Sequence, residues 1–390
     1  MNTLSFFYSI SIYEWIIIGL YVFFFTIQLF YYLYLFRKPH QYVVSINGND
    51  EIRKSNKELP GISIIITAKN EAENLRNNLP YILNQDYPKF QIVVVNNASS
   101  DSTSDVLSNF CINHPNLYIT YIPIDSESKN DKKLALTVGI KAAKHDILLF
   151  TEPDTKPFSD QWVYEYAKTF ENGIDIVIGC CQLQINKSLF KNYILFDNLF
   201  SGVKYISMAL SKRPYMGIGR NMAFRKSLFF DNKGFSSVLN IEDGEDNVFI
   251  NRISTKENTA VVASPQSMVV SNVVDSLSGW RKIKSKYLAT QKHFSGSTTK
   301  LFSFEVFSRY AFYLLFVTLC VIALITPLML LGLLAVLLFL IRYATQVLVL
   351  NKNSSIYNAG KFYFSLPLLD FLVPIANYSF LNSNTDRKKT

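Results

Sequence analysis

Long apolar stretches flank a middle segment in which apolar and polar residues alternate. Residues 15–36 contain no Lys, Arg, Asp or Glu, and at about 1.5 Å per helical residue such a stretch can cross the core of a bilayer. Residues 310–350 are almost wholly apolar, and Pro327 interrupts them, which predicts two helices over 310–326 and 328–349. The pattern therefore predicts one N-terminal and two or three C-terminal membrane helices around a middle domain.

The distribution of Lys and Arg around these stretches predicts their orientation. Arg37 and Lys38 directly follow the first stretch, whereas residues 1–14 contain neither residue type. Because the cytoplasmic flanks of membrane helices carry the excess of positive charge, we expect the middle segment in the cytoplasm. Within the second stretch, Arg342 is expected to extend its guanidinium to the inner interface, near Lys352.

The last apolar segment, residues 362–381, is interrupted by two prolines and by Asp370. A full span there would place the basic tail, 387–389, outside, against the distribution of charge that membrane proteins follow. We therefore expect a re-entrant or interfacial segment with the tail inside. The predicted parts of the chain are 1–38, an N-terminal membrane helix and its flank; 39–300, a cytoplasmic domain; 301–350, two membrane helices; and 351–390, the interrupted segment and the basic tail.

Within the middle segment, short β-branched runs alternate with stretches of helical periodicity. This alternation predicts an α/β domain with a mostly parallel, Rossmann-like sheet and helices on both faces. Right-handed crossovers would bring the carboxyl ends of the strands to one edge of that sheet. The predicted strands are 62–67, 91–95, 118–122 and 147–151, and the predicted helices are 71–85, a helix that begins at Asp101, and 133–143.

Composition narrows the classes of function. The net charge is +9, aromatic residues make up 15% of the chain and charged residues 18%, which favours contact with anionic lipids over nucleic acid. No nucleic-acid-binding motif is present. The four cysteines and four histidines show neither metal-ligand spacing nor a pairing with a Ser or Cys nucleophile. Zinc sites, disulfides and catalytic triads are therefore not predicted.

Polar side chains follow the predicted strands at the edge where their carboxyl ends meet. Glu152 and Asp154 come directly after the fourth strand, and Asn97 comes after the second. Two carboxylates so close in sequence can hold a hard divalent cation, and that cation can bind a diphosphate. Each loop taken singly could also be an ordinary polar turn. Their coincidence at one edge of the sheet favours a ligand site.

Residues 61–155 resemble the family 2 glycosyltransferases, which are inverting nucleotide-sugar enzymes with the GT-A fold. The first strand with its Asn70-Glu71 pair is similar to that family's opening motif. The loop after the second strand is similar to an aspartate-rich motif, with Asn96 and Asn97 in place of its two leading aspartates. The resemblance covers roughly residues 60–290 and includes the segments 79–88, 95–103, 132–136, 151–155, 215–226 and 244–247.

The resemblance implies transfer of a sugar, usually from a uridine diphosphate donor, to an acceptor hydroxyl with inversion. It makes Asp246 the catalytic base, with Glu245 as its neighbour. It makes Asp154 and Glu152, which replaces an aspartate of the family motif, the ligands of Mg²⁺ or Mn²⁺. The implied nucleotide-sugar-binding residues are Ala68, Asn70, Glu71, Asn97, Lys133 and Glu152, and the implied acceptor-side residues are Gly217, Gly219, Arg220 and Asn221.

One departure from the family concerns processivity. Processive members carry a Gln-x-x-Arg-Trp motif before the C-terminal spans, and residues 280–286 occupy that region without it. We expect these bases to form a basic interfacial helix or to contact a diphosphate or lipid headgroup. The prediction is a non-processive enzyme of the bacterial inner membrane that makes cell-envelope polysaccharide, with a lipid-linked acceptor and no nucleic-acid partner.

Two alternatives stay open. The first is a processive polysaccharide synthase of the same fold. The second is a catalytically inactive membrane scaffold, which the replacements at Asn96, Asn97 and Glu152 would suit. The sequence does not indicate the oligomeric state.

Overall fold

The computed structural model of the protein describes residues 11–47, 59–123, 131–170, 173–185, 188–272, 274 and 276–386. The middle segment is built on a seven-stranded sheet and a smaller three-stranded sheet. The strands are β1 (Ile62–Ala68), β2 (Phe90–Asn97), β3 (Leu117–Ile122), β4 (Ile147–Thr151), β5 (Thr155–Pro157), β6 (Ile176–Ile178), β7 (Cys181–Leu183), β8 (Met222–Arg225), β9 (Thr259–Val261) and β10 (Val269–Ser271).

The large sheet is mostly parallel, as the alternation of strands and helices predicts. Its order is β3-β2-β1-β4-β8-β6-β9. The first four strands along the chain are parallel neighbours, whereas β8 runs antiparallel to β4 and β6. The small sheet has the order β5-β10-β7. The four predicted strands are confirmed, and β1, β2 and β4 end at the same edge of the sheet.

Helices cover both faces of the large sheet, so the central strands are buried on both sides. Alternate residues of β1 belong to different cores: Ile65 lies in one, and Ile64 and Ile66 lie in the other. This explains why the strand is a continuous β-branched run and not an apolar–polar alternation. The helices of the domain are α3 (Ala72–Leu83), α4 (Thr103–Asn113), α5 (Asp131–Ala142), α6 (Trp162–Ala167), α7 (Lys191–Leu210), α8 (Lys226–Asp231), α9 (Asn247–Ile253) and α10 (Leu277–Thr290), with short 3₁₀ turns at Gly234–Val238, Pro265–Ser267 and Gln291–His293.

Long apolar helices lie before and after the domain. Among the described residues, three of them are long and apolar enough to cross a membrane: Ile12–Ile46, Thr298–Ile325 and Met329–Tyr357. All three are longer than the predicted spans. The helices are α1 (Ile12–Phe30), which continues through a π-helical turn (Tyr31–Phe36) into α2 (Lys38–Asn47), then α11 (Thr298–Ile325), α12 (Met329–Tyr357) and α13 (Leu366–Asp386).

The last helix, α13, carries an acidic residue into the helix bundle. Its Asp370 is fully buried, and its carboxylate pairs with Arg309 at 3.1 Å and with Arg342 at 2.8 Å. The Arg342 guanidinium also donates to Gln28 of α1 at 2.8 Å. The prediction that Arg342 reaches the interface near Lys352 is therefore wrong. The reason is that Asp370 offers a charged partner inside the bundle, where a lone arginine would be strongly disfavoured.

We expect Asp370→Asn to destabilise the protein strongly, by about 3–5 kcal/mol, because it leaves the buried Arg342 without a charged partner and the buried Arg309 with Glu305 alone. The free energy of unfolding can be measured by denaturant titration of the full chain in detergent. The control is Glu257→Gln, which removes an exposed pair with Lys256 and should change stability little. Equal stability of the two variants would contradict this account of Asp370.

Candidate active site

The loops after β1 and β2 meet at the carboxyl edge of the large sheet. Each turns away from its strand through a left-handed residue, Asn70 (φ 57°) after β1 and Ala98 (φ 52°) after β2. Hydrogen bonds hold the two loops together: the Asn70 amide donates to Ser99 Oγ at 2.9 Å, and the Ser100 amide donates to Asn70 Oδ1 at 2.8 Å. A left-handed alanine is strained, and such strain is often found at functional sites.

The predicted donor-side residues lie at this edge. Ala68 and Asn97 are the buried last residues of β1 and β2. Glu71 begins the turn into α3, and its carboxylate accepts a hydrogen bond from Asn74 at 2.6 Å. Burial raises the pKa of Glu71, and the nearby Asp154 carboxylate adds to the rise. The structure therefore brings Glu71 towards the acidic residues that follow β4.

A chain of ion pairs crosses the site. Arg220 Nη2 lies 2.8 Å from Asp154 Oδ2 and 3.0 Å from Glu152 Oε2. On the other side, Lys132 Nζ lies 2.8 Å from Glu152 Oε1 and 3.0 Å from Glu245 Oε1. Carboxylates from two distant parts of the chain are thus joined through shared cations.

These contacts change the charges that the acids carry. Burial would raise the pKa of Glu152, but Arg220 and Lys132 outweigh it and lower that pKa to about 2. For Glu245, burial is likewise outweighed by Lys132, and the pKa is lowered. Burial opposes the charge of Arg220, yet Glu152 and Asp154 raise its pKa well above the ordinary value. Arg220, which was predicted on the acceptor side, therefore binds the predicted metal ligands directly.

Asp246 differs from its acidic neighbours. Its carboxylate accepts hydrogen bonds from the amide of Gly219 at 3.0 Å and from that of Asn247 at 2.6 Å. Burial, followed by the adjacent Glu245 charge, raises the pKa of Asp246 to about 6. A Cβ added at Gly219 would lie 3.4 Å from Asp246 Oδ2, so the backbone at Gly219 packs directly against this carboxylate. The structure keeps Gly219 in the site, in contact with the predicted base.

Asp246 and Glu152 line one small cleft together with Lys132, Gly219 and Glu245. We call this the active-site cleft. The predicted base and the predicted metal-binding segment, which are far apart in sequence, therefore meet at one place in the fold.

Lys133 lies outside this cleft, although it was predicted to bind the nucleotide sugar. It is buried, and its Nζ donates to the carbonyls of Ile241 at 2.7 Å and Asp243 at 3.2 Å. It thus holds the loop that leads to Glu245. Its neighbour Lys132 enters the cleft instead, because consecutive helical residues point about 100° apart.

Asn221 and Gly217 also differ from their predicted acceptor-side roles. Asn221 is fully buried, and its Oδ1 accepts hydrogen bonds from Trp162 Nε1 at 2.9 Å and from the Tyr166 hydroxyl at 2.8 Å. Its amide nitrogen donates to two carbonyls, so the side chain has no group left for an acceptor. Gly217 packs against Ile250 in the interior. Asn221 thus joins strands and helices beneath the site.

Helix α10 contributes residues that the sequence reasoning missed. It was expected to be an interfacial helix, but Trp280 and Lys284 are buried and both bind Asp197 of α7, at 2.9 and 2.7 Å. Tyr287, on the same face as Trp280 seven residues earlier, lies beside the cleft. Burial raises the pKa of Tyr287, and the nearby Asp246 charge adds to this. Trp280 and Tyr287 are seven residues apart, which is two helical turns, and this spacing could have identified the buried face of α10 from the sequence.

Asp154 and Glu152 could hold a divalent cation. A single atom, Arg220 Nη2, lies within 3.0 Å of both carboxylates, so one cation could contact both. Over the described part of the chain, no group of three or more His, Cys, Asp or Glu could form a metal site. Two carboxylates with the remaining ligands from phosphate and water are a usual arrangement for Mg²⁺. The residues present therefore fit such an ion when it arrives with a diphosphate.

Comparison with known proteins shows which families this chain resembles. Residues 63–231 match the family model described as glycosyl transferase family 2. Over 125 residues the chain is 30% identical to the poly-beta-1,6-N-acetyl-D-glucosamine synthase of Staphylococcus epidermidis, which covers 32% of this chain and 28% of the synthase. It is 25% identical over 232 residues to the probable glycosyltransferase YdaM of Bacillus subtilis, which covers 56% of this chain and 53% of YdaM. The matched parts thus span about half or less of these relatives.

A solved structure shows the same fold. The mannosyltransferase PcManGT from Pyrobaculum calidifontis, in complex with GDP-Man and Mn²⁺, superposes with a TM-score of 0.53 at 18% identity. The match covers 87% of this chain and 96% of that one. The fold is therefore GT-A-like, and within it residues 63–231 are the part of the chain that matches the glycosyl transferase family 2 model.

Proposed function

We propose that the protein is an inverting glycosyltransferase that moves a sugar from a nucleotide-sugar donor to an acceptor hydroxyl. One observation carries the proposal: Asp246, a buried carboxylate, shares the active-site cleft with Glu152, which follows β4 at the donor edge of the sheet. An acceptor hydroxyl beside Asp246 would face a donor at that edge. Attack from the opposite side of the anomeric carbon inverts its configuration.

The donor side of the cleft has the charges that a diphosphate needs. Mg²⁺ or Mn²⁺ held by Asp154 and Glu152 would offset the negative charge on the departing nucleoside diphosphate. Arg220 and Lys132 already lie on these carboxylates, so each could turn from a carboxylate to a phosphate oxygen. Ala68, Asn70, Glu71 and Asn97 line the edge where the nucleoside would lie. We propose a UDP-sugar as the donor.

On the acceptor side, Asp246 removes the proton of the attacking hydroxyl. The two backbone amides that bind its carboxylate orient it, and the neighbouring Glu245 keeps its pKa high enough to accept a proton. Lys132 holds Glu245 in its ionised form. The two adjacent acids therefore have different roles, with Asp246 as the base and Glu245 as the charge that tunes it.

We propose that the reaction takes place at the cytoplasmic face of a bacterial inner membrane and serves cell-envelope polysaccharide synthesis. Three apolar helices flank the domain, and in the first of them Arg37 and Lys38 directly follow the uncharged stretch 15–36, which suits a cytoplasmic domain. A site attached in this way to the bilayer suits a lipid-linked acceptor.

A processive synthase is the second candidate, because the staphylococcal relative is named as a polysaccharide synthase. We favour a non-processive transfer, since the Gln-x-x-Arg-Trp motif is absent from the chain. The length of the product separates the two candidates: a ladder of long polymers from the purified protein would contradict the non-processive proposal.

We expect Asp246→Asn to lower kcat by about 100- to 10,000-fold, because an amide cannot accept the hydroxyl proton. Release of nucleoside diphosphate can be measured with a panel of nucleotide sugars and a membrane lipid extract. The control is Asp243→Asn, since Asp243 is an acid of the same loop that binds Lys286 at 3.0 Å and its left-handed backbone (φ 58°) tolerates asparagine. Full turnover by folded Asp246→Asn would exclude the assigned base.

The pH dependence of kcat/KM provides a separate prediction. A base must be deprotonated to act, so kcat/KM should rise with pH and level off above the pKa of Asp246, about 6. Glu245→Gln removes a neighbouring negative charge that raises the pKa of Asp246, whereas the opposing effect of Lys132 remains. The pKa of Asp246 should therefore fall, and the rise of kcat/KM should move to lower pH. A rise that stays at the same pH in Glu245→Gln would contradict the coupling between these two acids.

A further inference from the structure

A second and larger cavity, of about 510 Å³, lies between the domain and the C-terminal helices. Arg220, Ser271 and Tyr287 line it on the side of the active site, and Val306 of α11 and Pro374 of α13 line it on the side of the helix bundle. We call it the interface cavity. Its volume falls within the range of about 300–1,000 Å³ that is usual for ligand sites. It therefore extends from Arg220, which binds Glu152 of the active-site cleft, to the helices that flank the domain.

Lys204 of α7 lines this cavity and lacks a close anionic partner. Its Nζ is 3.7 Å from Glu305 Oε2, beyond a good hydrogen bond. Within the described chain it makes no hydrogen bond, and the rings of Phe200 and Phe302 lie 4.4 and 5.1 Å away. By contrast, Lys284 of the same cavity is 2.7 Å from Asp197 Oδ1. Lys204 is thus a cation in aromatic surroundings whose charge is only weakly compensated.

Burial disfavours the charged form of Lys204. Burial lowers its pKa to about 8, although Glu305 opposes the change. An anion bound in the cavity would supply the contact that Lys204 lacks and would favour its charged form. The Lys204 side chain is 20% exposed and lines the cavity, so an anion in the cavity can reach it.

Two further residues that line the cavity, Ser271 at the active-site side and Asn377 on α13, each have a buried side-chain oxygen with no partner among the described residues. A buried polar atom without a hydrogen bond is costly. A ligand that carries hydroxyl groups could supply that bond once the side chain rotates towards the cavity. The remaining walls are largely aromatic and aliphatic. The cavity therefore combines sites for hydroxyls, for an anion and for an apolar chain.

We propose that the interface cavity binds the acceptor, and that this acceptor is a saccharide linked through phosphate or diphosphate to a long apolar chain. The saccharide lies towards Ser271 and the active-site cleft, the phosphate contacts Lys204, and the chain runs along Val306 and Pro374 to the bilayer. This inference rests on the proposed glycosyltransferase function, and it assigns to Lys204 the selection of an anionic lipid.

The test measures binding and not turnover. Farnesyl diphosphate supplies both chain and anion, farnesol supplies the chain alone, and inorganic diphosphate supplies the anion alone. Affinities for the full chain in detergent can be measured by ligand-induced thermal stabilisation. We expect Lys204→Met to weaken farnesyl diphosphate binding by about tenfold or more and to leave farnesol binding unchanged. The control is Lys191→Met, an exposed lysine of the same helix, which should bind farnesyl diphosphate like the wild type.

A second variant keeps the test valid if Lys204→Met does not fold. Val306→Trp fills the cavity on the side of the bundle and leaves Lys204 in place, so it should weaken farnesyl diphosphate and farnesol alike. The proposal is overturned if Lys204→Met or Val306→Trp binds farnesyl diphosphate as tightly as the wild type. It is also overturned if inorganic diphosphate binds as tightly as farnesyl diphosphate, because the site would then select a free anion.

These outcomes are independent of the proposed reaction. Asp246→Asn should abolish turnover and still bind farnesyl diphosphate normally. Suppose that farnesyl diphosphate binding depends on Lys204, but the wild-type protein releases no nucleoside diphosphate from any nucleotide sugar. That result would contradict the proposed function alone. Turnover without Lys204-dependent binding would contradict this inference alone.

Discussion

The structure depends on how buried carboxylates are compensated at the edge of the sheet. Among the described residues, Glu152, Asp154 and Glu245 form ion pairs with Lys132 and Arg220, and Asp246 directly follows Glu245 without an ion pair of its own. Where buried carboxylates outnumber the nearby cations, either the pKa of a carboxylate rises or the site attracts a further cation. Asp246 does the first, with its pKa near 6, and the pair that follows β4 is suited to the second. The same imbalance thus accounts for a base on one side of the cleft and a cation site on the other.

The fold was largely predictable because its signals are local and repeated. The β-branched runs and helical periodicities predicted β1 to β4 and their order, and burial on both faces of the sheet explains why those runs contain few polar residues. The apolar helices were predictable for the same reason. The convergence of Glu152 with Asp246 was expected from a family resemblance: the end of β4 places Glu152 at the edge of the sheet, and the start of α9 places Asp246 opposite it.

The roles of individual side chains were less predictable, because helix phase and tertiary partners determine them. Lys132 and Lys133 are equivalent in sequence, yet one enters the cleft and the other binds the Ile241 carbonyl. Asn221 is as polar as a ligand-binding residue, but four internal hydrogen bonds occupy it. Arg342 could not be assigned without knowing that the chain returns Asp370 to the bundle.

The pairing of Asp370 with two arginines has a consequence for the order of assembly. Arg309 and Arg342 lie on α11 and α12, which are synthesised before α13 supplies their counter-charge. Until that last helix docks, Arg342 lacks its counter-charge in an apolar setting, whereas Arg309 already pairs with Glu305 on its own helix. Completion of the bundle is therefore conditional on the C-terminal helix.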